Sequence, residues 1–300
     1  MRGTQVSMLE SRATEVYEDS LEQVRRHLRQ LAQPLCSQAG ATALPPLHAL
    51  NHSIPLIDEN KIYPWRPSKC PEALRSLWIE KKNSYLKSGR WELTTARNTC
   101  PMLLITKPGI LTRLRVVVDL REHNKNTCKL SSPMPDMEGI LWRVARKPYR
   151  SIIDGQDAYK QICVIPEHVE RTAVTMPDGN MVSHVIQQGD CNAPATYQAL
   201  MNHMFGEHIG VFMDVYLDDI IIYSDTLEEH VQHVTTVIRI LKEEKLYLSE
   251  RSFASSARKS RFLVALSRTT VFGWILKRLI GLSTGRSRRT VPCVGDSWGR

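Results

Sequence analysis

The 300-residue chain predicts an α+β fold. Runs of β-branched residues alternate with segments of helical periodicity, and their order follows no strict strand–helix–strand repeat. The chain has no apolar stretch long enough to span a membrane, and its first residues lack the apolar run of a secretory signal. Seven scattered cysteines without CxxC spacing favour a reducing compartment. The sequence therefore predicts an intracellular protein, cytoplasmic or nuclear.

The first 120 residues predict helices followed by a pair of strands. In chain order they are an amphipathic helix at 8–33, a linker at 34–48, an extended segment at 51–65, a helix at 71–88, and strands at 102–106 and 114–120. The chain from residue 149 onward predicts further strands and helices. It contains a strand at 149–153, a hairpin of 174–176 with 181–185, a helix at 192–208, strands at 211–215 and 220–223, and a long helix capped by Ser224 or Asp225 and ending at 244.

The formal charge of +9 is unevenly distributed along the chain. Residues 61–150 hold 19 Lys and Arg against 7 Asp and Glu, whereas residues 151–250 hold 5 against 16. Residues 251–300 hold 11 against 1 and account for the whole excess. A basic segment followed by an acidic one is expected in a protein that binds phosphates with one region and metal ions with the next. A charged, solvent-exposed surface would explain the same counts.

Two adjacent acids, Asp218 and Asp219, lie in a turn between strongly apolar strands, and Asp154 ends another apolar strand. Such a pair often belongs to an ordinary surface turn whose side chains face solvent. Carried into the protein by apolar strands, however, adjacent carboxylates repel each other unless a cation compensates them. Three carboxylates from neighbouring strands suit a cage for two Mg²⁺ ions.

Several ordered motifs resemble one family. Tyr216-Leu217-Asp218-Asp219 resembles the YxDD motif of reverse transcriptases, and the spacing from Asp154 suits that family's first catalytic aspartate. Residues 192–202 (NAPATYQALMN) are similar to the NAPATFQALMN helix of gypsy-type LTR retrotransposon polymerases. The resemblance covers about residues 49–250, and its early part looks like fungal members of the family.

The resemblance implies the fingers and palm of a right-hand polymerase, with a ferredoxin-like palm sheet, packed helices and a thumb that is largely missing. The fingers are expected at 49–131 and 163–191, and the palm at 132–162 and 192–250, after an N-terminal helix and linker at 1–48. The implied activity is RNA-directed DNA synthesis from deoxynucleoside triphosphates on an RNA template with a DNA primer. Protease, RNase H and integrase domains are the implied partners in the parent polyprotein.

The resemblance also assigns roles to single residues. Asp154, Asp218 and Asp219 match the catalytic metal ligands, which hold two Mg²⁺ ions. Tyr159 matches the aromatic gate that excludes the 2′-hydroxyl of a ribonucleotide. Without the resemblance, Tyr159 would be interpreted as an ordinary core residue. Gln188-Gly189 resembles the pair beneath the nucleotide.

The fingers motif matches residues 114–121, LRVVVDLR. There Arg115 corresponds to the arginine that clamps the triphosphate, and Lys107 to its partner lysine, in a turn shorter than the family's. Arg121 and Asn124 match structural or template-contacting positions, and both interpretations stay open.

Three residues depart from the family pattern. His123 replaces the usual leucine before Asn124, and Asp190-Cys191 replaces the common Gly-Leu-Thr approach to the helix. The cysteine is expected to pack rather than to react.

From Arg251 the sequence loses acids and periodicity, and the expected primer-grip strand is absent. A one-base shift permits a hidden reading that contains KILGRVV and resembles the family's continuation. The sequence therefore suggests that residues 251–300 are an out-of-frame, poorly ordered tail. A catalytically inactive remnant with weak nucleic-acid binding is the alternative to an active polymerase, and an RNA-templated RNA polymerase is disfavoured by Tyr159.

Overall fold

The computed structural model describes residues 2–37, 39–107, 110–131, 135–155 and 157–248. Its helices are α1 (Arg2–Ala32), α2 (Arg75–Lys87), α3 (Arg121–Lys125), α4 (Met137–Ala145), α5 (Ala193–Phe205) and α6 (Leu227–Glu243). Its strands are β1 (Trp91–Thr94), β2 (Cys100–Lys107), β3 (Ile110–Val118), β4 (Tyr149–Asp154), β5 (Val174–Met176), β6 (Gly179–Ser183), β7 (Met213–Tyr216) and β8 (Asp219–Ser224). The α+β prediction is confirmed. The tail, residues 251–300, lies outside the described residues.

Most predicted elements are found within a few residues of their expected bounds, but three short ones were not predicted. These are β1, α3 and α4. The prediction of Ser224 or Asp225 as the cap of α6 is wrong, because Ser224 still belongs to β8. Thr226 is the cap: its side chain accepts from the Glu229 N–H at 3.2 Å, and the Glu229 carboxylate accepts from the Thr226 N–H at 3.2 Å.

The strands form two sheets. One has five strands in the order β1-β6-β5-β2-β3, and the other is an antiparallel sheet in the order β4-β8-β7. The first corresponds to the predicted fingers, where the β2–β3 hairpin pairs Met102 with Val118 and Ile105 with Arg115. The second corresponds to the predicted palm.

Side chains on the two faces of the palm sheet enter different cores, as the two-residue period of a strand requires. Ile153, Ile220 and Ile222 pack with α1, α5 and α6, where Leu28 of α1 and Val237 of α6 are fully buried. The opposite face carries a smaller core. Its buried members are Ile140, Val144, Ile152, Tyr216, Leu217, Ile221 and Tyr223. No helix in the described ranges is long and apolar enough to cross a membrane.

An ion pair between half-buried Arg143 and buried Asp214 attaches α4 to the palm sheet. The Arg143 guanidinium donates to both carboxylate oxygens of Asp214 at 2.8 and 2.9 Å, and the Tyr223 hydroxyl donates to the same carboxylate at 3.0 Å. Charge-assisted, bidentate hydrogen bonds of this kind compensate the burial of the aspartate. Asp214 therefore has a structural role although it lies four residues before the acidic turn.

A histidine fixes α6 to the palm sheet from inside the protein. The His230 ring is fully buried, with Nε2 at 2.8 Å from Ser151 Oγ and Nδ1 at 2.9 Å from Ser224 Oγ. Ser224 Oγ also lies 2.8 Å from Nδ1 of His233, whose ring stacks on Phe212. Burial, together with the neighbouring His233, lowers the pKa of His230 to about 3.

This histidine makes the fold sensitive to acid. Because the folded-state pKa lies below the unfolded value near 6.5, the unfolded chain binds the extra proton between pH 6.5 and 3. Stability is fully present above pH 6.5 and falls as the pH decreases, by up to about 1.4 kcal/mol per pH unit. Urea unfolding from pH 7 to pH 5 should show this slope, and His230→Gln should reduce it. Exposed His203→Gln is the control; equal slopes for all three proteins would contradict the assignment.

Candidate active site

The register of β4 and β8 brings the predicted acids together. Asp154 at the end of β4 pairs with Asp219 at the start of β8, and the backbone N–H of Gly155 donates to the Asp218 carbonyl at 3.3 Å. Cα atoms of directly opposed residues lie about 4.5–5.5 Å apart in an antiparallel pair. Asp219 is buried, whereas Asp154 and Asp218 are half-buried. Three carboxylates therefore meet at one end of the palm sheet.

The turn that carries Asp218 has an unusual backbone. Leu217 adopts a left-handed φ of +54°, a conformation that costs a non-glycine residue roughly 1 kcal/mol. Gln198 of α5 supports it: its amide oxygen accepts from the Leu217 N–H at 3.1 Å, and its amide nitrogen donates to the Val215 carbonyl at 3.2 Å. One fully buried side chain thus holds the backbone on both sides of Tyr216.

Tyr197, one residue earlier on α5, lies beneath the carboxylates. Burial raises its pKa well above the usual value, and the negative charges of Asp218, Asp219 and Asp154 raise it further. A methyl group at Gly155 would stand only 3.4 Å from the Tyr197 hydroxyl. The Tyr197 phenol therefore lies close enough to all three acids for their charges to affect it.

A cavity of about 280 Å³ opens beside these acids. Gly155, Tyr159, Gln188 and Asp218 all line it, so the predicted gate and the predicted sugar-contacting residue face the same space as one acid. The Tyr159 ring packs edge-on against Tyr197 with the ring centroids 6.0 Å apart. The structure thus brings together residues that lie up to 63 positions apart along the chain.

Buried Arg90 holds the short helical turn that carries Tyr159. Its guanidinium donates to the Lys160 carbonyl at 3.1 Å, and it donates to the Thr42 carbonyl at 2.7 Å and the Thr42 hydroxyl at 2.8 Å. Burial lowers the pKa of Arg90. The side of the cavity that carries Tyr159 is therefore attached to the segment before residue 49.

Asn124 positions the loop of Gln188 and Gly189. Its side chain donates to the Gly189 carbonyl at 2.9 Å and accepts from the Cys191 N–H at 3.1 Å. Gly189 has a φ of +111°, which a side chain would strain. These contacts support the structural interpretation of Asn124 over the template-contacting one. Arg121 is largely exposed and pairs with Asp119 at 2.7 Å.

The departures from the family pattern lie together behind this loop. Buried His52 contacts the Asp190 carboxylate at 3.4 Å and the Thr196 hydroxyl at 2.9 Å. Burial favours the neutral carboxyl, but His52 and the Asn192 N–H outweigh it and keep the pKa of Asp190 below its usual value. Burial lowers the pKa of nearby His123.

Cys191 is half-buried next to Asp190. Burial and the Asp190 charge raise the pKa of its thiol to about 11, which keeps it protonated and unreactive at neutral pH. This agrees with the expectation that it packs rather than reacts.

Lys107 and Arg115 lie on the β2–β3 hairpin, Lys107 paired with Ile110 and Arg115 with Ile105. The structure describes their backbone, and their side chains lie outside what it describes. Among the described residues no three His, Cys, Asp or Glu side chains stand in an arrangement ready to hold one metal ion. The convergent acids nevertheless provide the hard oxygen donors that Mg²⁺ prefers.

The family model described as reverse transcriptase (RNA-dependent DNA polymerase) matches residues 105–263. The chain belongs to this family. It is 30% identical over 205 residues to the transposon Tf2-3 polyprotein of Schizosaccharomyces pombe, and 29% identical over 205 residues to the Tf2-7 polyprotein of that yeast. Each alignment covers 68% of this chain and 15% of the polyprotein.

The fold is similar to that of solved retroviral enzymes. The protease-reverse transcriptase of prototype foamy virus matches with a TM-score of 0.64 and 26% identity, over 77% of this chain and 30% of that protein. A foamy viral protease-reverse transcriptase in complex with an RNA/DNA hybrid matches in fold, with a TM-score of 0.62 and 23% identity. The prediction of fingers and palm is thus confirmed for this reverse transcriptase domain.

Sequence reasoning missed two residues of the site. Gln198 and Tyr197 lie within the NAPATYQALMN segment, but their helical spacing indicates only a buried stripe. Their contacts run to a turn about twenty residues further on, so only the packing of α5 against β7 and β8 reveals them. The difference from the family's NAPATFQALMN helix was the available signal for Tyr197, because it adds a hydroxyl at that position.

Replacing Gln198 with methionine tests the support of the acidic turn. The change keeps the length of the side chain but leaves the Leu217 N–H without its acceptor, so we expect a loss of about 1–3 kcal/mol in the free energy of unfolding. Urea denaturation measures it. Gln232→Met on the exposed side of α6 is the matched control. Equal stability of the two variants would show that Gln198 does not carry the turn.

Proposed function

We propose that this domain catalyses RNA-directed DNA synthesis, adding deoxynucleotides to a DNA primer on an RNA template. The observation that carries the proposal is the convergence of Asp154, Asp218 and Asp219 at the end of the palm sheet, beside a cavity lined by Tyr159 and Gln188. Family membership supports the same chemistry. Because the chain spans 15% of the related polyproteins, we assign the activity to this domain alone.

Asp154, Asp218 and Asp219 would hold two Mg²⁺ ions. When bound, such ions activate the primer hydroxyl and stabilise the departing pyrophosphate. The chain's own contribution is to fix the carboxylates: the β4–β8 register sets Asp154 against Asp219, and Gln198 holds the turn of Asp218. The mutual repulsion of these carboxylates provides the free energy that favours cation binding.

The remaining predicted residues select and orient the nucleotide. The Tyr159 ring, packed against Tyr197, would occupy the space that a 2′-hydroxyl needs. Gln188 faces the same cavity, and Gly189 allows a close approach of the backbone. Lys107 and Arg115, on one hairpin, would contact the triphosphate.

We propose that the domain works within a polyprotein inside the cell, with protease, RNase H and integrase domains as its neighbours. Its relatives in fission yeast are transposon polyproteins, and the structurally similar foamy viral protein carries a protease with its reverse transcriptase. That viral protein was solved with an RNA/DNA hybrid, which supports nucleic acid as the substrate here.

Asp218→Asn tests the catalytic site. Removing one carboxylate should weaken cation binding and reduce primer extension on poly(A)/oligo(dT) with Mg²⁺ by at least about a thousandfold, a loss of roughly 4 kcal/mol in transition-state stabilisation. Asp225→Asn, at the far end of β8, is the matched control, because Asp225 pairs with Lys147 away from the acids. Extension by the Asp218 variant at the wild-type rate would overturn the assignment.

The same assay addresses the alternative of an inactive remnant. The 300-residue chain should be assayed beside a frame-repaired chain that restores the hidden reading after Glu250. Activity in the repaired chain alone would support the site and assign the defect to the tail. If both chains are inactive, and the Asp218→Asn variant binds template–primer as tightly as wild type, the result would favour a catalytically inactive remnant.

Tyr159→Ala tests the gate. Opening the space beside the sugar should raise incorporation of ribonucleotides relative to deoxynucleotides by about tenfold or more, measured as the ratio of the two kcat/KM values. Tyr159→Phe keeps the ring and should keep the discrimination. If the alanine variant discriminates as well as wild type, Tyr159 is core and not a gate.

We further propose that residues 251–300 are read out of frame after a lost nucleotide or a misplaced splice junction. The support is the change in composition at Arg251 and the hidden reading, although the family model's match continues to residue 263. Sequencing genomic DNA and transcripts around codon 250 tests this. A continuous reading frame in both, without the missing base, would contradict it.

A further inference from the structure

Two lysines from different elements line the same cavity as the acids. Lys81 comes from α2, and Lys160 comes from the 3-10 turn Ala158–Gln161 that also carries Tyr159. Lys160 Nζ donates to the Ile186 carbonyl at 2.9 Å, and Lys81 Nζ lies 5.3 Å from the centre of the Tyr85 ring. Both ammonium groups are thus half-buried at positions fixed by the fold.

The positive charges of Lys81 and Lys160 repel each other in this cavity. Within the described part of the chain neither lysine forms an ion pair of 4.0 Å or less. Arg90 adds a further positive charge, Asp157 offsets part of it, and Asp218 lines the same cavity. Burial lowers the pKa of both lysines, and the charge of Lys81 lowers that of Lys160 further, to about 7. An anion between them would remove this repulsion and favour their protonated forms.

We propose that Lys81 and Lys160 form a phosphate-binding subsite on the fingers side of the nucleotide cavity. The inference rests on the proposed function, because Asp218, Tyr159 and Gln188 share the cavity with the two lysines. The subsite differs from the triphosphate contacts proposed for Lys107 and Arg115, which lie on the β2–β3 hairpin. Its phosphate belongs either to the incoming nucleoside triphosphate or to the backbone of the template strand.

Charge location supports phosphate rather than another ligand. Lys81, Lys160 and Asp218 line one cavity, so a ligand that carries both phosphate groups and a bound cation fits it. Lysine ammonium groups are compact donors that bind phosphate as point charges. A neutral or apolar ligand would leave the repulsion between Lys81 and Lys160 in place.

The test compares Lys81→Met and Lys160→Met with Lys82→Met. Lys82 is the neighbour of Lys81 on α2, but it pairs with Asp178 at 2.8 Å and does not line the cavity. Titration calorimetry with inorganic tripolyphosphate, and anisotropy of a labelled template–primer, measure binding without polymerisation. Lys160→Arg keeps the charge and should preserve binding. Lys81→Met removes no hydrogen bond to the backbone, so it gives a result even if Lys160→Met fails to fold.

If the subsite takes the triphosphate, the methionine variants should bind tripolyphosphate about tenfold more weakly, and their KM for dTTP should rise about tenfold. Their affinity for template–primer should stay unchanged. If it takes the template backbone, template–primer affinity should fall instead. Either result supports the subsite, and the tripolyphosphate and template–primer titrations remain decisive even if the chain does not polymerise. Binding in Lys81→Met and in folded Lys160→Met equal to that of Lys82→Met for both ligands would overturn the proposal.

Discussion

Antiparallel pairing of β4 with β8 sets Asp154 opposite Asp219, and the site is organised around the negative charge that this register concentrates. A one-residue slip would reverse which side chains of β8 face each core, since strand side chains alternate between the two faces. The isoleucines of β4 and β8 therefore fix the register that the acids require. Apolar packing on both faces of the sheet determines where the carboxylates stand.

Two other buried acids of the domain are compensated inside the protein. Asp214 is held by Arg143 and Tyr223, and Asp190 by His52 and a backbone N–H. The three acids of the proposed metal site lie at the end of the palm sheet, where Asp218 lines an open cavity. Asp214 and Asp190 are instead acids whose contacts stabilise the fold.

The strongest predictions from the sequence concerned elements with local signals. The apolar strands β4 and β8, the proline-entered helix α5 and the acidic turn all have patterns that depend on neighbouring residues. The missed strand β1 has four residues and no alternation of burial, and α3 has five residues, so neither offers a period to detect. The cap of α6 was misplaced because Ser224 bonds to His230 and His233, a contact that no local pattern reveals. Gln198, Tyr197 and Lys81 act on residues far along the chain, and only the packed fold assigns them.

The contact between Arg90 and Thr42 changes how the N-terminal segment is understood. By sequence this segment is a helix and a linker ahead of the domain, yet Leu28 and Leu35 complete the palm core, and Thr42 anchors the arginine that holds the turn of Tyr159. A protein cut at residue 49 would keep the motifs described above while losing one wall of its core and one support of the turn that carries Tyr159. The smallest unit able to fold around this site is therefore larger than the unit that its motifs define.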